Sequence, residues 1–179
     1  MDASDLIDEL IEREGGYSAR PADRGGPTRF GISEAVARAH GYPGDMATLP
    51  RDTAAAIYRA DYWTGPGLDR VAALAPTVAA ELFDTGVNMG TGTAAGFLRR
   101  ALNALNRNGA DYADIPSTGT IDAATLAALR AFVRTRGPAA ETVLVKALDA
   151  LQGARYIALA ETRPADETFL YGWLANRVG

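Results

Sequence analysis

The sequence contains no cysteine and a single histidine, His40, in 179 residues. Disulfides, thiolate nucleophiles and cysteine-based metal sites are excluded on that ground, and histidine-cluster metal sites with them. A Ser-His-Asp triad is disfavoured, because only one imidazole exists to serve it. β-Branched residues are sparse beside alanine and leucine, which favours helix over sheet. The formal charge is -4 and arginine does not gather on any one helix, so the basic stripe of a nucleic-acid binder is missing. No apolar run reaches membrane-spanning length, and the opening "MDASDLIDELIER" is acidic and amphipathic, unlike a secretory signal or a span. Synthesis in the cytoplasm without a signal peptide is therefore the expectation. With 47% apolar residues the chain can bury a core, and its length suits one domain or one domain with a small appendage.

What is present reads mostly as helix. Residues 4–14 form the first, with Ser4 as N-cap, Asp5 and Asp8 at the positive end of the dipole, and Leu6, Ile7, Leu10 and Ile11 as the apolar stripe. Strand-length pieces at Tyr17-Ser18 and at residues 29–32 suit a small antiparallel hairpin. Ser33 caps a helix to Ala39, and further helices run over 50–63, 76–88, 93–106, from Asp122 past Val133, from Pro138 towards Ala160, and over 167–178. The polar, glycine-containing stretch "NRNGADYADIPSTGT" (106–120) is the best internal boundary. No tandem repeat or low-complexity tract occurs. The fold class is mainly α with one small β-hairpin.

The chemistry concentrates in "REGGYSARPADRGGPTRFGIS", residues 13–33. Glu14 falls on the next position of the first helix's apolar stripe, four beyond Leu10 and seven beyond Ile7, so it is expected to face inward. Desolvation there favours a neutral carboxyl, which can donate a proton to a leaving oxygen. Glu12 lies on another face of the same helix. Gly15 and Gly16 leave room for close approach. Asp23 sits in a turn-rich loop where it should stay ionised, and the Thr28 hydroxyl could hold a water beside it. Two carboxyls in contrasting environments are what glycoside hydrolysis requires. The plainer alternative is a solvated helix-end glutamate followed by an Asp-x-Gly-Gly turn, and composition alone does not separate the two.

The motif decides between them. Glu14 to Tyr17 and Pro21 to Ile32 carry Glu-Gly-Gly-Tyr and Pro-x-Asp-x-Gly-Gly-x-Thr-x-x-Gly-Ile in full. This resembles the N-terminal signature of glycoside hydrolase family 108, the N-acetylmuramidase-type lysozymes found among phage endolysins. "YRADYW" (58–63) and "ELFDTGVNMG" (81–90) are similar to two further family segments. The resemblance spans roughly residues 3–95, and residues 96–177 look like the helical peptidoglycan-binding region that follows in the same family, through "TGTIDAATLAAL" and "FLYGWLANRV". "PSTGTID" stands where an Asp-Gly usually precedes the capping turn.

The resemblance implies a lysozyme-like helical fold, a catalytic region over 1–95 and a peptidoglycan-binding-like region over 96–179 packed with it as one compact unit. It also implies hydrolysis of the β-1,4 bond between N-acetylmuramic acid and N-acetylglucosamine. Glu14 takes the place of the essential acid. Glu14, Asp23 and Thr28 are further similar to the Glu, Asp, Thr set of inverting phage lysozymes, with an Asp-to-Thr spacing one residue shorter. The expected partner is the glycan strand of peptidoglycan, with a holin for release, acting as a monomer and with no cofactor or metal. Mild acidity argues against tight electrostatic wall binding but not against a wall substrate. A lytic transglycosylase and a non-catalytic wall-binding or particle-structural protein are the alternatives.

Other residues suit the same groove. Tyr17, next to the acid, and Tyr62 and Trp63 are expected to stack on sugar, although aromatics at the Tyr58-Tyr62 spacing also suit a core. Asp84 and Asn88, with Glu81 on the same helix face, are expected to bind sugar hydroxyls or to steady Glu14. "LFDTGV" (82–87) mimics an aspartic-protease triplet but lies in a helix, and "GTGTAAG" (90–96) lacks the spacing and strand of a phosphate loop. His40 reads as a helix C-terminal residue.

Overall fold

The computed structural model describes residues 2–18, 26–116 and 118–178. It is mainly helical with one small antiparallel sheet, as a lysozyme-like architecture requires. Contacts divide the chain into two compact units, residues 1–65 and 66–179.

The first unit opens with α1 (Ala3–Glu14). Its cap is Asp2 rather than Ser4. The Asp2 carboxylate accepts from the Ser4 and Asp5 amides while the Asp5 carboxylate accepts from the Asp2 amide, a reciprocal capping box that places both acids at the positive end of the helix. Ile7, Leu10 and Ile11 are buried, each side chain contributing about 1.5–3 kcal/mol by leaving water. Where one hairpin was expected there are three strands: β1 (Tyr17–Ser18), β2 (Thr28–Arg29) and β3 (Ile32–Ser33), antiparallel in that order. Arg29 pairs with Ile32, so Phe30 and Gly31 are the whole β2–β3 turn. Both have positive φ, 52° and 75°, the backbone that tight hairpin turns favour. Ile32 seals the sheet against the core, and Ser33 caps α2 (Glu34–Ala39) through the Val36 amide.

A 3-10 turn over Met46–Thr48 leads to α3 (Arg51–Tyr58). Beyond Tyr58 the helix widens into a π-helical segment, Arg59–Thr64, closed by the Gly65 amide donating to the Ala60 carbonyl. A Cβ on Gly65 would stand 2.6 Å from that oxygen, which is why glycine ends the segment. His40, at the C-terminus of α2 as expected, meets the Asp61 carboxylate at 3.0 Å and ties α2 to the π segment.

The second unit holds α4 (Leu68–Ala72), α5 (Pro76–Met89), α6 (Thr91–Leu105), α7 (Ala123–Arg136), α8 (Ala140–Thr162) and α9 (Glu167–Arg177). Helix α5 is central, packed on α4, α6 and α8. "GTGTAAG" is the α5–α6 junction and the start of α6, with Gly90 at φ 89° making the break. Side chains of α6 pin the described residues of the stretch that follows it. Asn103 exchanges two hydrogen bonds with the backbone of Ile115, and Asn106 holds Gly109, Tyr112 and Asp114. Arg99, 0% exposed, reaches from α6 to the carbonyls of Pro116 and Thr120 and pairs with Asp122 at 2.7 Å. Asp122 meanwhile caps α7 through the Thr125 amide and hydroxyl. The caps and the guanidinium together hold this carboxyl well below the usual carboxylate range.

Candidate active site

Glu14 is the last residue of α1, and Gly15 turns the chain away at φ 76°. The apolar stripe predicts that Glu14 points inward. It is exposed instead, at the last position of the helix. The carboxylate nonetheless has a fixed backstop. An ideal Cβ on Gly31 would lie 3.1 Å from the Glu14 Cγ and 3.1 Å from its Oε2, so the β2–β3 turn rests directly on the acid. The same Cβ would lie 2.5 Å from the Tyr58 hydroxyl. Gly31 is therefore required twice, by its backbone angle and by the two side chains packed on its bare face.

Tyr58 is buried on α3 and donates to the Phe30 carbonyl at 2.9 Å. Burial pushes its hydroxyl up from the ordinary tyrosine value, and the nearby Glu14 carboxylate adds to the shift. It stays a neutral donor, holding a phenylalanine in a left-handed conformation that bulky residues rarely adopt. The Arg29 guanidinium lies 5.0 Å over the Phe30 ring. Among the described residues, no heavy atom lies within 4 Å of where a Cβ on Gly15 or Gly16 would sit.

The sequence-predicted residues separate as follows. Tyr17 is 48% exposed on β1, opposite Arg29. Thr28 is on β2, paired with Ser18 and Ser33, and half-buried. Tyr62 is half-buried in the π segment, its ring 5.8 Å from that of Tyr58 and tilted by 45°. Trp63 is only 7% exposed. Tyr62, beside it in the π segment, is the more exposed of the two. Asp23 lies outside the described residues.

In the second unit Asn88 donates to the Asp84 carboxylate at 2.9 Å and to the Asp84 carbonyl at 2.8 Å. Glu81 on the same face does not belong to a solvated row. It is half-buried, accepts from Thr85 at 3.2 Å, and faces Asp149 of α8. Burial first, and then the Asp149 charge, push the Glu81 carboxyl up to about 7. Burial raises Asp149 as well, so the two acids share a proton that Glu81 carries. Gln152, fully buried, donates to Thr85 at 3.3 Å and closes the cluster. Asp149 is distant in sequence from Glu81, and nothing in its own helical pattern marks it. The Phe30-Gly31 turn had a signal in "RFGIS", which was legible as motif but not as mechanics. No group of His, Asp and Glu that could hold a metal ion occurs among the described residues.

Comparison with known proteins adds two regions and a fold. A family model described as Glycosyl hydrolase 108 matches residues 7–90, and one described as Predicted Peptidoglycan domain matches residues 93–178. No curated protein matches. Among solved structures, that of Brucella abortus SagA superposes with a TM-score of 0.68 over 97% of this chain and 87% of that one, at 24% identity. That likeness speaks for the fold alone.

Proposed function

We propose that this chain is a peptidoglycan N-acetylmuramidase, since its residues 7–90 match the Glycosyl hydrolase 108 family model and its residues 93–178 a predicted peptidoglycan domain. The bond is the β-1,4 linkage from N-acetylmuramic acid to N-acetylglucosamine, and the general acid is Glu14. The observation that carries the reading is the seat of that carboxylate: exposed, yet backed by the Gly31 turn. An acid that must protonate a glycosidic oxygen has to be both reachable and held within hydrogen-bond range of it. Apo burial is absent, so the arriving glycan itself supplies the desolvation when it covers the carboxylate. Asp23 acts as base or electrostatic partner, with Thr28 positioning the water, which makes the expected outcome inversion. Tyr17 and Tyr62 supply aromatic faces for the sugar rings, and Asp84 and Asn88 are further sugar contacts.

As a member of the endolysin class the chain would act on wall peptidoglycan, with a holin giving it passage. Two experiments test the assignment. Zymography on peptidoglycan should show clearing by wild type and at least a roughly hundredfold loss for Glu14→Gln, the usual scale for a removed general acid. Equal clearing by the variant ends the enzyme reading in this form. Mass spectrometry of the digest should show reducing muramic acid ends, lost stepwise in Asp23→Asn and Thr28→Ala. Anhydro-muramoyl ends would mean a lytic transglycosylase, which uses one carboxyl and no water. No clearing by wild type would mean a non-catalytic wall-binding or structural protein.

A further inference from the structure

Helices α6 and α8 pack on one another in the second unit, and a concavity of about 390 Å³ opens along their seam. Phe97 and Arg100 line it from α6, and Leu151, Ala154 and Arg155 from α8. The spacing Phe97–Arg100 and Leu151–Arg155 puts each arginine one turn from an apolar residue on its own helix face. Two guanidiniums from different helices thus border one apolar floor. Elsewhere in this unit Arg99 pairs with Asp122, and Arg107 and Arg136 with Asp111, while Arg70, Arg130, Arg134 and Arg163 stand apart from this concavity without an acid partner among the described residues. Arg100 and Arg155 have no ion-pair partner among the described residues, in a chain whose formal charge is -4. No acid lines the concavity.

Arg155 also borders a second concavity, of about 190 Å³, with Asn88, Tyr156 and Trp173. There the Trp173 ring stacks on Tyr156 at 5.0 Å. An apolar, polar-handled recess and a cationic one therefore meet at a single guanidinium.

We propose that Arg100 and Arg155 form a carboxylate cradle for the acidic stem peptide that peptidoglycan carries on its glycan. The assignment rests on the peptidoglycan reading above and adds a ligand class to it. Two guanidiniums lining one acid-free concavity suit an anion. N-Acetylglucosamine brings none, and the lactyl carboxyl of N-acetylmuramic acid is consumed in its amide bond to the stem peptide, whereas that peptide brings free carboxylates on a backbone of small, alanine-rich residues. The floor of Phe97, Leu151 and Ala154 suits those methyl groups and would be wasted on a phosphate polymer. An acidic protein on an anionic wall gains a local docking point without an overall basic surface.

The test is a calorimetric titration of the full chain with a free alanyl-γ-glutamyl stem peptide, beside the same peptide with its carboxylates amidated. The expected result is binding of the acidic peptide only. Arg100→Ala and Arg155→Ala should each weaken it by about three- to tenfold, the range between an exposed ion pair and a charge-assisted hydrogen bond, and added salt should weaken it further. Both arginines are exposed, so the variants should keep the wild-type helical circular dichroism. The cradle is refuted by no binding at millimolar peptide, by equal binding of the amidated form, by an unaffected double variant, or by stronger binding of a glycerol-phosphate polymer. Binding is read without turnover. Peptide binding by a chain that cleaves no glycan would sink the hydrolase reading and support the cradle, while cleavage without peptide binding would sink the cradle alone.

Discussion

Replacing Gly31 by alanine puts one methyl group against the acid and the tyrosine that frame the site. Three costs can be separated. An alanine at φ 75° costs roughly 1–2 kcal/mol over glycine, because its Cβ crowds the carbonyl in the left-handed region. At 2.5 Å from the Tyr58 hydroxyl the methyl overlaps it outright, so the phenol must move and its bond to the Phe30 carbonyl is lost, about 1 kcal/mol more. The third contact, 3.1 Å to the Glu14 Cγ and Oε2, costs little stability, since an exposed side chain can swing away. It costs position instead, and a displacement of about 1 Å at a catalytic group can reduce rate on the order of a hundredfold. Gly31→Ala should therefore lower unfolding free energy by about 2–3 kcal/mol in urea titration and nearly abolish wall clearing.

Tyr58→Phe distinguishes the terms. It removes the hydroxyl that the methyl strikes, so the double variant should be more stable than the sum of the single losses predicts, with a coupling of about 1 kcal/mol. Clearing should remain absent, because the contact with Glu14 persists. Additive stabilities would show that the turn does not press on Tyr58. A Gly31→Ala variant with wild-type clearing would show that Glu14 needs no backstop, and the argument from its seat would fail.

Two further outcomes follow from the second unit. Below about pH 4.5, the ordinary glutamate value, Glu81 is protonated whether the chain is folded or not, and its folded form releases the proton only near pH 7. Stability from the shared proton is thus present at low pH and lost as pH rises through 7. A shift of that size corresponds to at most roughly 3 kcal/mol, reduced to about 1–2 kcal/mol by partial exposure and by sharing with Asp149. Glu81→Gln should stabilise the chain by that amount at pH 8 and not at pH 4.5 in urea titrations, and equal behaviour at both would refute the shared proton. Arg99→Leu should cost about 3–5 kcal/mol by leaving the Pro116 and Thr120 carbonyls and Asp122 without their cation, measured as a fall in melting temperature. A loss within experimental error would mean that the 106–120 segment holds itself.

Local pattern was a good guide where one face of one helix settles the matter. The stripe Ile7, Leu10, Ile11 and the caps Ser33 and Asp122 are where period and side-chain chemistry put them. The first cap moved from Ser4 to Asp2 because a reciprocal pair of acids satisfies more orphan amides than one hydroxyl. Periodicity gave Glu14 a direction but could not say whether anything stood in that direction. The π-helical widening over Arg59–Thr64 is a feature that no propensity scale reports. The third strand hides in a two-residue turn whose first member is a phenylalanine, the wrong residue for a turn by composition. Glu81 and Asp149, and Arg99 with its loop carbonyls, join residues far apart in sequence. Such pairs are products of packing, and only a single-face polarity survives of them in the chain.

The link from Arg99 to Asp122 also bears on how the second unit assembles. One carboxylate both starts α7 and completes the shell around a buried cation from α6. The first turn of α7 then has little reason to persist before the segment ahead of it has docked, and the guanidinium has no complete shell until α7 has begun. Helix initiation and loop docking become a single cooperative event, and amides of the first α7 turn should exchange with solvent at the rate of the Asn103–Ile115 pair rather than as a fraying end.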